Sequence, residues 1–102
     1  MPLYAVIGYD HPPHSMALRD SVRVQHRNYY YNNDEAIRFA SALCDDDGNE
    51  KGSLMIFEAE SAEHVRAWFA DEPFYSNGVY KDLHIIECRQ ALNRLPQSEW
   101  PA

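Results

Sequence analysis

Ala36-Ile37-Arg38-Phe39-Ala40-Ser41-Ala42-Leu43-Cys44, the turn Asp45-Asp46-Asp47-Gly48-Asn49-Glu50, and Gly52-Ser53-Leu54-Met55-Ile56-Phe57-Glu58-Ala59 form the stretch on which the fold turns. The first run sets Ile37, Phe39 and Leu43 on one side of a period-two pattern and the small residues Ala40 and Ala42 on the other, which predicts a strand. The acid- and glycine-rich turn and the apolar Leu54–Phe57 segment predict a second strand returning as a hairpin. An EF-hand reading of the acidic turn fails. With Asp45 as first ligand, such a loop needs glycine at Glu50 and glutamate at Ile56.

Outward from the hairpin, each flank repeats a strand and a helix in mirror order. Leu3 to Tyr9 is a short β-branched and aromatic run closed by Asp10, His11, Pro12 and Pro13, and reads as a strand followed by a breaker. Ser15 then caps a helix whose apolar positions are Leu18, Val22 and Tyr29, ending near Asn32 and Asn33. On the other side, Ser61 caps a helix with Ala62, Val65, Trp68 and Phe69 on its apolar face. Pro73 stops that helix and pushes Glu72 toward an extended conformation. A loop holding Gly78 leads to a last strand, Leu83 to Cys88, and Gln90 to Ala102 forms an irregular tail. The order strand, helix, strand, strand, helix, strand predicts a ferredoxin-like α+β fold, a split βαβ with a four-stranded antiparallel sheet and both helices on one face. At 102 residues the chain has room for one domain, with a core over about residues 1–90 and a tail over 91–102.

The strands are apolar on both faces. Leu54 and Ile56 oppose Met55 and Phe57, and Leu83 and Ile85 oppose Ile86 and Cys88, so the face away from the helices needs a cover. A second copy of the chain supplies it most simply, which predicts a homodimer through the open sheet face. The net charge of −7 excludes a general nucleic-acid or anionic-membrane binder, since those need a basic surface. The absence of a leader-like N-terminus and of any membrane-length apolar run predicts a cytoplasmic protein. Cys44 and Cys88 stand far apart and read as buried free thiols. No metal is expected: His11, His14 and Asp10 have a usable spacing but no third strong ligand nearby. No cofactor is expected either, because glycine-rich phosphate loops are absent, and no Ser-His-Asp or Cys-His nucleophile arrangement is present.

Arg19-Asp20-Ser21-Val22-Arg23-Val24-Gln25-His26 carries the candidate chemistry. On a helical wheel His26 lies about 40° beyond Val22, and Arg19, Tyr30 and Arg23 follow within about 60°. That places His26 at the rim of the buried face, a position suited to a general acid or base. Arg19 and Arg23 depress a neighbouring histidine's proton affinity and can hold an anionic substrate by bidentate hydrogen bonds. Tyr30, on the same side, either lines a pocket or packs. The plainer alternative is a boundary-filling histidine among solvated arginines.

The sequence resembles the YciI-like proteins, small members of the dimeric α+β barrel superfamily. The likeness is carried by the opening strand Leu3-Tyr4-Ala5-Val6-Ile7, by the helix with Arg19, Arg23 and His26, and by Gly52-Ser53-Leu54 leading to Glu72-Pro73-Phe74, Gly78 and Tyr80. It runs to about residue 90. The resemblance implies a homodimer with sheets packed face to face and a pocket pairing the helix histidine with an acid ahead of a proline. Here that acid is Glu72, where the family commonly has Asp, or Asp71 one residue earlier. Superfamily relatives include muconolactone isomerases and chloromuconolactone dehalogenases. The resemblance therefore implies acid–base chemistry on a small anionic carboxylate, by isomerisation or elimination, with His26 and Glu72 or Asp71 catalytic and Arg19, Arg23 and Tyr30 binding substrate. A non-catalytic ligand-binding or dimeric interaction module is the alternative. Ser41-Ala42 replaces a common Gly-Pro, and the tail with Trp100 is longer than usual, able to pack on a partner subunit or over the pocket.

Overall fold

A computed structural model describes residues 1–13 and 15–101. Strands β1 (Leu3–Asp10), β2 (Ile37–Cys44), β3 (Glu50–Glu58) and β4 (Tyr80–Cys88) form one antiparallel sheet in the order β2-β3-β1-β4. Beside helices α1 (Met16–Asn32) and α2 (Ala62–Ala70) there is a one-turn helix, α3 (Pro73–Ser76), which follows α2 and begins the segment before β4 that the sequence predicts to be a loop. The fold is ferredoxin-like α+β, as the element order requires. Alternation along the central strands turns Tyr4, Val6, Met55 and Phe57 toward the helices, where they meet Tyr30, Val65 and Phe69. No described helix is long and apolar enough to cross a membrane.

Three β-bulges shift the expected pattern, and each re-aims side chains. Ile37 faces Phe57 and Phe39 faces Ile56, so Arg38 is the extra residue and Ile37 joins the helix-side core, not the face shared by Phe39 and Leu43. At the other end of the hairpin Leu43 faces Gly52 and Cys44 faces Glu50, leaving Lys51 outside the ladder. Between β1 and β4, Tyr9 faces Asp82 and Asp10 faces Tyr80, with Lys81 extra. This last bulge lets β4 begin three residues earlier than periodicity predicts and swings Tyr80 inward. The Tyr80 ring lies over Gly8, where an added Cβ would come within 2.9 Å of it. Cys44 is exposed, contrary to the buried thiol expected, because it sits at the end of an edge strand.

The buried line of α1 also differs from the one drawn through apolar residues. Arg19 and Tyr30 are its buried members, while Leu18 is exposed. The helix turns Arg19 inward because Asp10 waits there: continuing the inward phase of Tyr4, Val6 and Gly8, its carboxylate accepts from Arg19 Nε at 2.6 Å and Nη2 at 3.0 Å. Arg19 Nη2 also reaches Ser53 Oγ at 3.5 Å, and Ser53 shares a 2.8 Å hydrogen bond with the Tyr80 hydroxyl. Burial, the largest single influence, lowers the Arg19 pKa, but the hydrogen bond and charge of Asp10, with the smaller contributions of Tyr80 and Glu50, together outweigh it and the net shift is upward. Below this charged layer the tail folds back onto its own chain. Trp100 Nε1 donates to Asp34 Oδ2 at 2.8 Å, and its ring stands 5.7 Å from that of Tyr30.

Two expectations follow. Arg19→Met leaves the Asp10 carboxylate buried without its cation and should cost about 3–5 kcal/mol in urea unfolding, whereas adding Asp10→Leu should recover much of that loss. A single-variant cost below about 1 kcal/mol would show the pair to be dispensable. The second concerns alkaline pH. Burial pushes the Tyr30 and Tyr80 hydroxyls well above the usual tyrosine value, with nearby Glu72 adding to the shift. Below about pH 10 both states keep these protons; above it the unfolded chain loses them and the folded chain does not, so stability falls as pH rises. Tyrosinate absorbance should show Tyr30 and Tyr80, of seven tyrosines, ionising only together with loss of the fold.

Candidate active site

Glu72 is the acid that the fold delivers to His26. Its backbone is extended, at φ −72° and ψ 125°, as Pro73 imposes. The side chain thereby caps α3, with Oε2 accepting from Tyr75 N–H at 3.0 Å. The other oxygen, Oε1, lies 2.5 Å from His26 Nδ1. Glu72 is 0% exposed, so both carboxylate oxygens are met by protein donors. Ionised Glu72 can only accept. Nδ1 then carries the hydrogen, and Nε2 is the nitrogen left for other chemistry.

Aromatic rings fix the imidazole plane. Phe74 stacks on His26 with centroids 3.6 Å apart and planes 7° apart, and Tyr30 tilts against it at 4.1 Å. The His26 side chain retains 15% exposure, so it is more enclosed than the rim position expected, yet not sealed. The turn that supplies both Glu72 and Phe74 ends at Gly78, whose φ of +75° suits glycine. Val79 N–H bonding to Phe74 O then starts the return to the sheet. Arg19 Cζ lies 4.8 Å over the same Phe74 ring. Residues seven apart on one helix are about 10.5 Å apart along its axis, and Phe74 fills the space between Arg19 and His26.

The remaining candidates separate cleanly. Asp71 is an exposed residue ending α2, with its backbone still near-helical at ψ 2°, and its carboxylate is not brought to His26. Arg19, expected to grip substrate, is 1% exposed and committed to Asp10. That expectation is corrected by the inward phase of Asp10, which binds the guanidinium inside the molecule. Arg23 is partly exposed, its Nη2 donating to Asp20 Oδ1 at 3.0 Å and to Glu50 Oε1 at 2.8 Å. Tyr30 is buried with its hydroxyl 3.2 Å from Met55 Sδ, so its ring, not its hydroxyl, faces the histidine. Asp10, Glu50, Ser53, Phe74 and Tyr80 belong to this neighbourhood without a predicted role in it, Ser53, Phe74 and Tyr80 having entered only as carriers of the family likeness. Only Asp10 carried a usable signal, an acid in the inward phase of a central strand, which demands a buried cation.

Of the two histidines flanking the prolines, His14 lies outside the described residues. Cavities of about 380 Å³, walled by Tyr9, Asp10, His11, Pro12, Pro13 and Lys51, and about 280 Å³, walled by Asn32, Asn33, Glu35, Ala36 and Trp68, indent the surface. Neither is walled by His26 or Glu72.

Among solved structures the chain is similar to 5-chloro-2-hydroxyhydroquinone dehydrochlorinase (TftG) from Burkholderia phenoliruptrix AC1100, in complex with 2,5-dihydroxybenzoquinone. The TM-score is 0.78 at 22% identity, covering 87% of this chain and 95% of that one. It is also similar to a proposed antibiotic biosynthesis monooxygenase from Bacteroides thetaiotaomicron VPI-5482, with TM-score 0.56 at 11% identity over 95% of each chain. Rv0793 from Mycobacterium tuberculosis gives 0.52 at 11% identity over 93% of this chain and 100% of that one. At these identities the likeness establishes the fold alone. No curated protein matches the chain. The profile of the YCII-related domain matches residues 2–89, the whole of the sheet and its helices, and the chain belongs to that family.

Proposed function

We propose that His26 and Glu72 work as a general acid–base pair on a small anionic metabolite, catalysing isomerisation or elimination. The observation that carries the reading is the 2.5 Å contact between His26 Nδ1 and a carboxylate with no exposure to water. In this reading Nε2 takes a proton from the substrate while a leaving group departs with its bonding electrons, or returns the proton at another carbon in an isomerisation. Glu72 holds the ring and stabilises the imidazolium that forms; of the two candidate acids, geometry favours it over Asp71. Arg23, one quarter exposed, is the cation that can turn from Asp20 to a substrate carboxylate. Arg19 acts from beneath, through Phe74. The name of TftG describes loss of hydrogen chloride from a hydroxylated ring, which lends the elimination class its support.

The same reading includes a homodimer. Ala5, Ile7, Phe39, Leu54, Ile56 and Ile86 share the sheet face away from the helices, and Ile86 is 55% exposed. A second copy buries the same patch from each side. Sedimentation at micromolar concentration should give a dimer, and a monodisperse monomer would refute this assembly.

A binding module without turnover is the second reading, favoured by the position of the larger cavity away from His26. Incubating the protein with a metabolite pool and following the mixture by mass spectrometry separates the two. Wild-type protein should convert a component, and His26→Ala, checked for native circular dichroism, should lose about 10²–10⁴-fold of that rate. A loss below about threefold would remove His26 from the mechanism, and a ligand retained unchanged would establish binding.

A further inference from the structure

We infer that the groove at the end of β1 is a separate binding site for a small monoanionic carboxylate with a flat apolar body, anchored by Lys51. The inference does not depend on catalysis at His26. The groove has a volume of about 380 Å³, within the range of small-molecule sites. Its walls include Tyr9, which continues the outward phase of Ala5 and Ile7 at the end of the face assigned to the second copy, and Pro12 and Pro13, side chains suited to an aromatic or alicyclic group. His11 N–H donates to Val79 O at 3.1 Å, which ties this wall to the start of β4.

The charge at this end of the sheet argues for one negative charge on the ligand. Arg19 is matched by Asp10, and Arg23 by Asp20 and Glu50. Lys51 has no carboxylate partner among the described residues, and it is exposed. As the extra residue of the β2–β3 bulge it is outside the ladder, the position from which a bulge redirects a side chain. Asp10 forms part of the groove, but its carboxylate is buried against Arg19, which offsets its charge, so it does not repel an anion. Lys51 is the one ammonium among the described residues that line the groove, and it balances one carboxylate. A phosphate dianion would leave a charge unmatched beside Glu50 in a chain of net charge −7.

Benzoate is the probe, followed by amide NMR on the intact protein. Saturable shifts should centre on Tyr9, His11 and Lys51. Lys51→Met should weaken binding at least about tenfold, Lys51→Arg should retain it, and His26→Ala should leave it unchanged. Benzyl alcohol, which has the same ring without the charge, should bind at least about tenfold more weakly than benzoate. The proposal is overturned if benzoate produces no saturable shifts there, or if its shifts centre on Tyr75 and the α3 turn. Equal binding of the alcohol, or indifference to Lys51→Met, also overturns it. Shifts at Tyr9 and Lys51 that follow protein concentration and not benzoate would assign the groove to a second copy of the chain and likewise end the proposal.

Discussion

A carboxylate removed from water must find its hydrogen-bond donors inside the protein, and at Glu72 that requirement shapes everything around it. One oxygen takes the Tyr75 amide and the other takes His26. The first bond fixes α3, and α3 carries Phe74 onto the imidazole face. The second fixes the rotation of α1, because His26 can reach the acid only if its helix presents that side to the sheet. Helix rotation in turn commits Arg19 to the interior, where an unpaired guanidinium would be untenable without Asp10.

The length of α1 is thus divided into three layers of different chemistry. Its first turns hold paired charges, with Arg19 and Arg23 set against Asp10, Glu50 and Asp20. Its middle holds the histidine, clamped between rings. Its end is aromatic, where Tyr29 and Trp68 sew the two helices together: the Tyr29 hydroxyl donates to Trp68 O, and Trp68 Nε1 donates to Asn33 O. A rigid histidine between a salt-bridged layer and an aromatic layer has little freedom to leave its acid, which is the preorganisation that acid–base chemistry demands.

Much of this was legible in the amino-acid order. Alternation in Leu54–Phe57 and the proline after Glu72 are local signals, and they located the sheet face and the extended acid correctly. The bulges at Arg38, Lys51 and Lys81 were not legible, since a bulge is defined only by the strand opposite. That is why periodicity alone puts Ile37 on the face of Phe39 and Leu43 and starts β4 at Leu83, not at Tyr80. The face of α1 was drawn through Leu18 and Tyr29 because the pattern counts apolar residues. Arg19 entered the core as half of an ion pair whose other half lies nine residues upstream, and no periodicity within the helix records that. The choice between Asp71 and Glu72 turned on one backbone angle, near-helical in the first and extended in the second.

The C-terminal tail adds a property of a different kind. The chain has two tryptophans, and both stand against Tyr30, Trp68 at 5.1 Å and Trp100 at 5.7 Å, while Tyr30 itself touches His26. One indole is anchored by Asn33 and the other by Asp34. All of the molecule's indole emission therefore originates one ring away from the candidate dyad. The protein carries its own optical probe of that neighbourhood, and events at His26 are open to observation without any label.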